Sequence, residues 1–112
     1  MKRVQAIIRE EQLDGVVERL LMIGVRGLTL YPVKGAGRSG GRREVYRGSA
    51  YIVTFLPKLL IEWYGPDDEA DAVARAIELR GRTGKIGDGK IFVSEVEDAV
   101  RIRTGERGEA AV

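Results

Sequence analysis

The sequence predicts an α+β sandwich in which strand, helix and strand are laid down twice, with both helices on one face of a single antiparallel sheet. Three observations predict it. Apolar residues recur with period two in four separate runs and with helical period in two runs between them. Glycines and a proline followed by acids stand where those helices would end and begin. The chain has 112 residues, 44% hydrophobic and 32% charged, the size and balance of one compact domain. A βαββαβ order of this kind builds a ferredoxin-like sheet, with residues 1–112 as a single domain.

Val4, Ala6 and Ile8 alternate with Gln5 and Ile7 as a first strand. Leu13, Val16, Val17, Leu20 and Leu21 then recur at helical spacing, and Gly24 stands where a left-handed residue would stop the helix. Gly27 hands over to a second strand, Leu28 to Lys34, and a third runs from Leu59 to Tyr64. Pro66-Asp67-Asp68-Glu69 reads as a helix start, where proline fits the first turn and acids oppose the positive end of the dipole. Ala70, Val73, Ala74 and Ile77 make its buried stripe, with Arg75, Arg80 and Arg82 toward the negative end and Gly81 closing it. Ile91 to Val96 is the last strand.

Each strand carries apolar residues in both registers. Ile7, Tyr31, Val33, Leu60, Tyr64 and Phe92 sit beside the residues that would face the helices. Two helices on one face cannot cover both, so the second face is expected to pack against other copies of the chain.

Composition narrows the chemistry. The chain lacks cysteine and histidine, which removes disulfides, thiolate nucleophiles, imidazole bases and the commonest zinc ligands together. Any catalysis would fall to carboxylates, lysines and hydroxyls, and the acids at 67, 68, 69 and 71 are already explained as helix-start charge. We therefore expect no enzyme and no catalytic residues. A net charge of +2, from 19 Lys and Arg against 17 Asp and Glu, is too small to point to nucleic acid. Met1-Lys2-Arg3 leads into only a short apolar run, so neither an export signal nor a membrane span is expected, and the predicted location is cytoplasmic.

Three segments carry the remaining chemistry. Between the second and third strands, Gly35 to Gly48 holds five glycines, four arginines and one acid. A hairpin connection takes roughly two to five residues, so one this long reads as a mobile functional loop, residues 37–54, whose arginines suit partner surfaces or phosphate. In Thr83-Gly84-Lys85-Ile86-Gly87-Asp88-Gly89-Lys90-Ile91, three glycines free backbone N–H groups for an anion and two lysines add charge. The run from Gly84 resembles a P-loop, but Ile91 replaces the hydroxyl residue and the loop precedes a strand instead of a helix, which excludes a P-loop NTPase. Finally, Arg101 and Arg103 at i and i+2 would point to one side of an extended chain, where a phosphate could bridge them.

Together these segments resemble the PII (nitrogen regulatory) signal-transduction family along the whole chain. The family's two signatures read here as Tyr46-Arg47-Gly48-Ser49-Ala50-Tyr51 and Thr83-Gly84-Lys85-Ile86-Gly87-Asp88-Gly89-Lys90-Ile91-Phe92-Val93, followed by Arg101-Ile102-Arg103-Thr104-Gly105-Glu106. The resemblance implies a homotrimer that binds ATP or ADP as effector, with Mg2+ accompanying ATP, in clefts between subunits. It places the polyphosphate on the loop 82–90, at Gly87, Asp88, Gly89 and Lys90, with Arg101 and Arg103 of the C-terminal segment 101–112 reaching over from a neighbour. Gly35, Gly37 and Arg38 would approach from the mobile loop, and Ile7, Thr29, Glu62 and Tyr64 would line the base and ribose side.

In relatives a second ligand, 2-oxoglutarate, is held with magnesium near the loop base, where Lys58 contacts it. Ser39 replaces the usual glutamine ligand, and its shorter arm implies weakened 2-oxoglutarate sensing. Tyr51 occupies the position uridylylated in many relatives; Ala50 replaces the acid often found before it, so the resemblance permits modification without requiring it. The alternation of Tyr51, Val53 and Phe55 also fits a plain strand edge. Arg42, Arg43, Tyr46 and Arg47 form the partner-facing part of the loop, Arg47 matching the arginine that some relatives insert into an ammonium transporter. The implied partners are such a transporter, reached at the membrane only through that contact, and enzymes that regulate glutamine synthetase. Two other readings compete: a divergent paralogue sensing adenylates or bicarbonate for carbon or metal transport, and a small RNA-binding module, for which the first strand lacks stacking aromatics.

Overall fold

The structure, a computed structural model, describes residues 1–37, 42–46, 49–53 and 55–112, with backbone alone for 42–46 and 49–53. The elements run β1 (Lys2–Ile8), α1 (Leu13–Met22), β2 (Thr29–Gly35), β3 (Arg42–Tyr46), β4 (Ser49–Val53), β5 (Leu56–Gly65), α2 (Asp67–Gly81) and β6 (Lys90–Glu95). Single 3-10 turns occupy Glu10–Gln12 and Gly108–Ala111. The main sheet has the order β2-β5-β1-β6, all neighbours antiparallel, which is the ferredoxin-like arrangement. The loop 37–54 contains a separate antiparallel hairpin, β3 with β4, so the strand character of Tyr51 and Val53 is realised there.

Alternation along the strands decides the two sheet faces. Val4, Ala6 and Ile8 of β1 and Leu59, Ile61 and Trp63 of β5 are buried, and α1 (Val16, Leu20) and α2 (Ala70, Val73, Ala76, Ile77) close over them. Burying each of Leu20, Ile61 and Ile77 contributes roughly 1.5–3 kcal/mol. Gly65 exists for Trp63: a Cβ there would lie 2.2 Å from the indole ring. Among the described residues no helix is long and apolar enough to cross a membrane.

Several boundaries differ from expectation, each for a physical reason. β5 begins at Leu56, not Leu59, and tolerates Pro57 because β1 pairs with β5 only as far as Leu59, leaving no ladder partner on that side. Pro32 is likewise accommodated because β2 is an edge. Gly24 does stop α1: it has φ +91°, its N–H donates to Leu21 O at 3.0 Å, and Val25 N–H donates to Leu20 O at 3.0 Å. Gly81 does not act this way. It is the buried last residue of α2, packed against Ile8 and Val16, and the chain leaves the helix through an extended Arg82. Leu21, expected in the apolar stripe, is exposed, and Ala74 is only partly buried.

The far face of the sheet is mixed, apolar in its middle and polar toward one end. Tyr31, Leu60, Ile7 and Phe92 gather around the middle of β5 and β1. Toward the other end Gln5 donates to Glu62 at 3.0 Å, Tyr64 Oη donates to Glu62 at 2.9 Å, and Arg3 donates to Ser94 at 3.2 Å.

Candidate functional site

The loop between α2 and β6 is folded around one carboxylate. Asp88 accepts the backbone N–H groups of Thr83 and Gly84, both at 2.8 Å, as well as the Thr83 hydroxyl. Arg9, just past β1, donates its Nε to the same carboxylate at 2.8 Å and its Nη2 to Ile86 O at 2.8 Å. The Arg9 bond, then those from Thr83 and Gly84, hold the Asp88 carboxyl far below the usual carboxylate range. Asp88 is therefore an anion that organises the loop from inside, with its oxygens already engaged.

Backbone geometry explains the glycines. Gly84, Gly87 and Gly89 have φ of +85°, +106° and +87°. Gly89 is the most constrained, since a Cβ there would lie 1.7 Å from Ile7 O. The loop thus rests directly on the backbone of β1.

In front of this loop lies an open cleft of about 740 Å³. Of the residues singled out in the sequence, Ile7, Gly35, Gly37, Lys58, Gly87, Asp88, Gly89 and Lys90 all line it. Lys58, 8% exposed, donates from Nζ to Gly87 O at 2.6 Å, so its ammonium sits against a neutral carbonyl. Among the described residues none of Lys58, Lys85 and Lys90 is ion-paired. Three cations without carboxylate partners around one concavity make a basin for an anion.

Thr29, Glu62 and Tyr64 lie on the far face of the same sheet but do not line the cleft. The Tyr64 hydroxyl is raised from its ordinary pKa, chiefly by burial and then by the bond to Glu62. Arg101 and Arg103 are not in an extended chain as expected. Residues 101–106 form a turn in which Gly105 N–H donates to Arg101 O at 2.7 Å and Arg101 Nη1 pairs with Glu106 at 3.0 Å; Gly105, with φ +75°, allows the reversal. Arg38, Ser39 and Arg47 lie outside the described residues, as do the side chains of Arg42, Arg43, Tyr46 and Tyr51.

Lys85, read from the sequence as charge for an anion, lines the cleft too, as do Ile86 and Phe92, to which the sequence reading gave no part in ligand binding. Phe92 was legible by register, one step from Ile91. Arg9 was not, because it lies 79 positions from Asp88 along the chain.

A family model described as Nitrogen regulatory protein P-II matches residues 1–106. The chain belongs to this family. It is 55% identical over 112 residues to a nitrogen regulatory protein P-II of Cereibacter sphaeroides and 54% identical to one of Rhodobacter capsulatus, with all of each chain covered. It is 50% identical, again over the whole of both chains, to nitrogen regulatory protein P-II 1 of Escherichia coli. For this P-II chain the signature run from Thr83 to Val93 is the loop folded on Asp88 together with the start of β6.

Proposed function

We propose that the chain is a nitrogen regulatory P-II signal transducer that binds ATP or ADP in the cleft beside the 82–90 loop and reports occupancy through the loop 37–54. One observation carries this reading: an anion-ready basin of Lys58, Lys85 and Lys90 borders Gly35 and Gly37, the residues from which that loop departs. A phosphate in the basin would meet ammonium groups and glycine backbone, so binding there would bias how the departing chain is displayed. Among the described residues of the basin none is poised to cleave the ligand, and the role is regulation without a catalysed reaction.

The chain acts as a homotrimer in the cytoplasm. Two features support the trimer: the apolar middle of the open sheet face, and the turn at 101–106, whose Arg101 and Arg103 would complete a neighbour's cleft. Arg101 would exchange its partner Glu106 for a phosphate. Mg2+ would be carried by the nucleotide's own phosphates. Ser39 weakens the 2-oxoglutarate site while leaving the adenylate site intact. Partners are nitrogen-metabolism proteins, an ammonium transporter or enzymes controlling glutamine synthetase, met through Arg42, Arg43, Tyr46 and Arg47.

Isothermal titration with ATP, ADP and 2-oxoglutarate, beside light scattering for mass, tests the reading. Saturable ATP and ADP binding by a trimer, with weak 2-oxoglutarate uptake at saturating Mg-ATP, is expected. A monomer indifferent to millimolar ATP would overturn it, and tight ATP-dependent 2-oxoglutarate binding would overturn the Ser39 argument alone.

A further inference from the structure

We infer that Arg9 is the positioning residue of the 82–90 loop, clamping Asp88 and the Ile86 carbonyl together and so setting the loop's grip on a polyphosphate. The inference rests on reading the cleft as the nucleotide site. Arg9 is not a wall of that cleft and acts on the ligand only through the loop. Its two bonds, both 2.8 Å, leave from different nitrogens of one rigid plane, a geometry that a lysine cannot reproduce.

The consequence follows from peptide geometry. A trans peptide points its C=O and the next N–H in opposite directions, so Arg9, by holding Ile86 O, aims Gly87 N–H away from itself. That N–H takes no partner among the described residues and belongs to a residue that does line the cleft. Lys58 fixes the next carbonyl, Gly87 O, from the β5 side. The Arg9–Asp88 pair is also sheltered, its side chains 20% and 21% exposed, whereas those of the Arg75–Asp71 surface pair are 78% and 80% exposed. Shelter makes a charge pair more sensitive to losing one member.

The test uses Arg9→Ala and Arg9→Lys, with titrations of ATP and ADP and amide exchange at Thr83 and Gly84 in the nucleotide-free protein. Arg9→Ala should weaken both nucleotides by the same factor, about tenfold, with Arg9→Lys losing about two- to threefold, and exchange at both amides should accelerate. Adding Asp88→Ala to Arg9→Ala should cost more, because Asp88 also accepts from Thr83 and Gly84, but less than the two single losses added together, because the Arg9–Asp88 bond is shared between them. A much greater loss for ATP than for ADP would make Arg9 a direct phosphate contact and overturn the inference; so would unchanged exchange. Should Arg9→Ala fail to fold, the partial loss in Arg9→Lys carries the test. If the parent protein binds neither nucleotide, the reading of the cleft fails, and the clamp stands or falls on the exchange rates alone.

Discussion

Residues 83–90 are tied to the body of the domain by Arg9 at 2.8 Å and Lys58 at 2.6 Å, whereas residues 101–106 close on themselves through Arg101 and Glu106. Both segments combine glycine with cations, and both read from sequence as places for an anion. They are built differently. In the first, Arg9 and Lys58 hold the backbone from the body of the domain; in the second, the tip residue Ile102 is 98% exposed and none of the described residues covers it. The contrast teaches that glycine with cations can give a loop seated on the sheet, as at 83–90, or a turn closed on itself and standing clear of it, as at 101–106.

Glycine substitution should break this contrast most strongly. Gly89→Ala must move backbone, because its Cβ would overlap Ile7 O, and a loss of about 3 kcal/mol or more is expected. Gly105→Ala meets nothing within 4 Å and pays only for its left-handed φ, about 1 kcal/mol. Denaturant unfolding followed by Trp63, the one tryptophan, at fixed protein concentration checks both. Equal costs would mean that the loop is not seated on β1 as described.

Next in size is Ile102→Ser. At 98% exposure it should leave stability within the chain unchanged to about 0.5 kcal/mol, yet weaken self-association about tenfold in sedimentation experiments. Unaltered assembly would remove the turn from the interface.

The smallest effect concerns pH. The Asp88 pKa is lowered in the folded state, so its stabilising contribution is present above the ordinary carboxylate pKa of about 4 and is lost only as pH falls through the lower folded value. Amide shifts of Thr83 and Gly84 should therefore stay constant from neutral pH down past about 4, where exposed carboxylates titrate. A transition near 4 would show that Arg9 and Thr83 do not hold the carboxylate.

Much of the architecture was legible because burial follows period. Val4, Ala6 and Ile8, or Ala70, Val73 and Ile77, announce both their element and its inner face. Single residues whose role depends on distant neighbours were harder. Gly81 looks like a helix stop until Ile8 and Val16 are found against it, and Leu21 looks like core until α1 is rotated against α2. Arg101 and Arg103 look extended until Gly105 turns the chain. Likewise the Thr83–Lys90 run declared an anion loop through its glycines, but the clamp from Arg9 is a tertiary fact that no local spacing encodes.

In the register of β2 and β5, Gly35 faces Leu56 across the outermost rung of the main sheet. The excursion between them leaves and re-enters at points separated by one strand spacing, about 5 Å. Such a rung is a socket. Any insert whose ends approach that closely could be grafted there without disturbing the four strands behind it, so the sheet places one demand on the segment it carries: where its two feet stand.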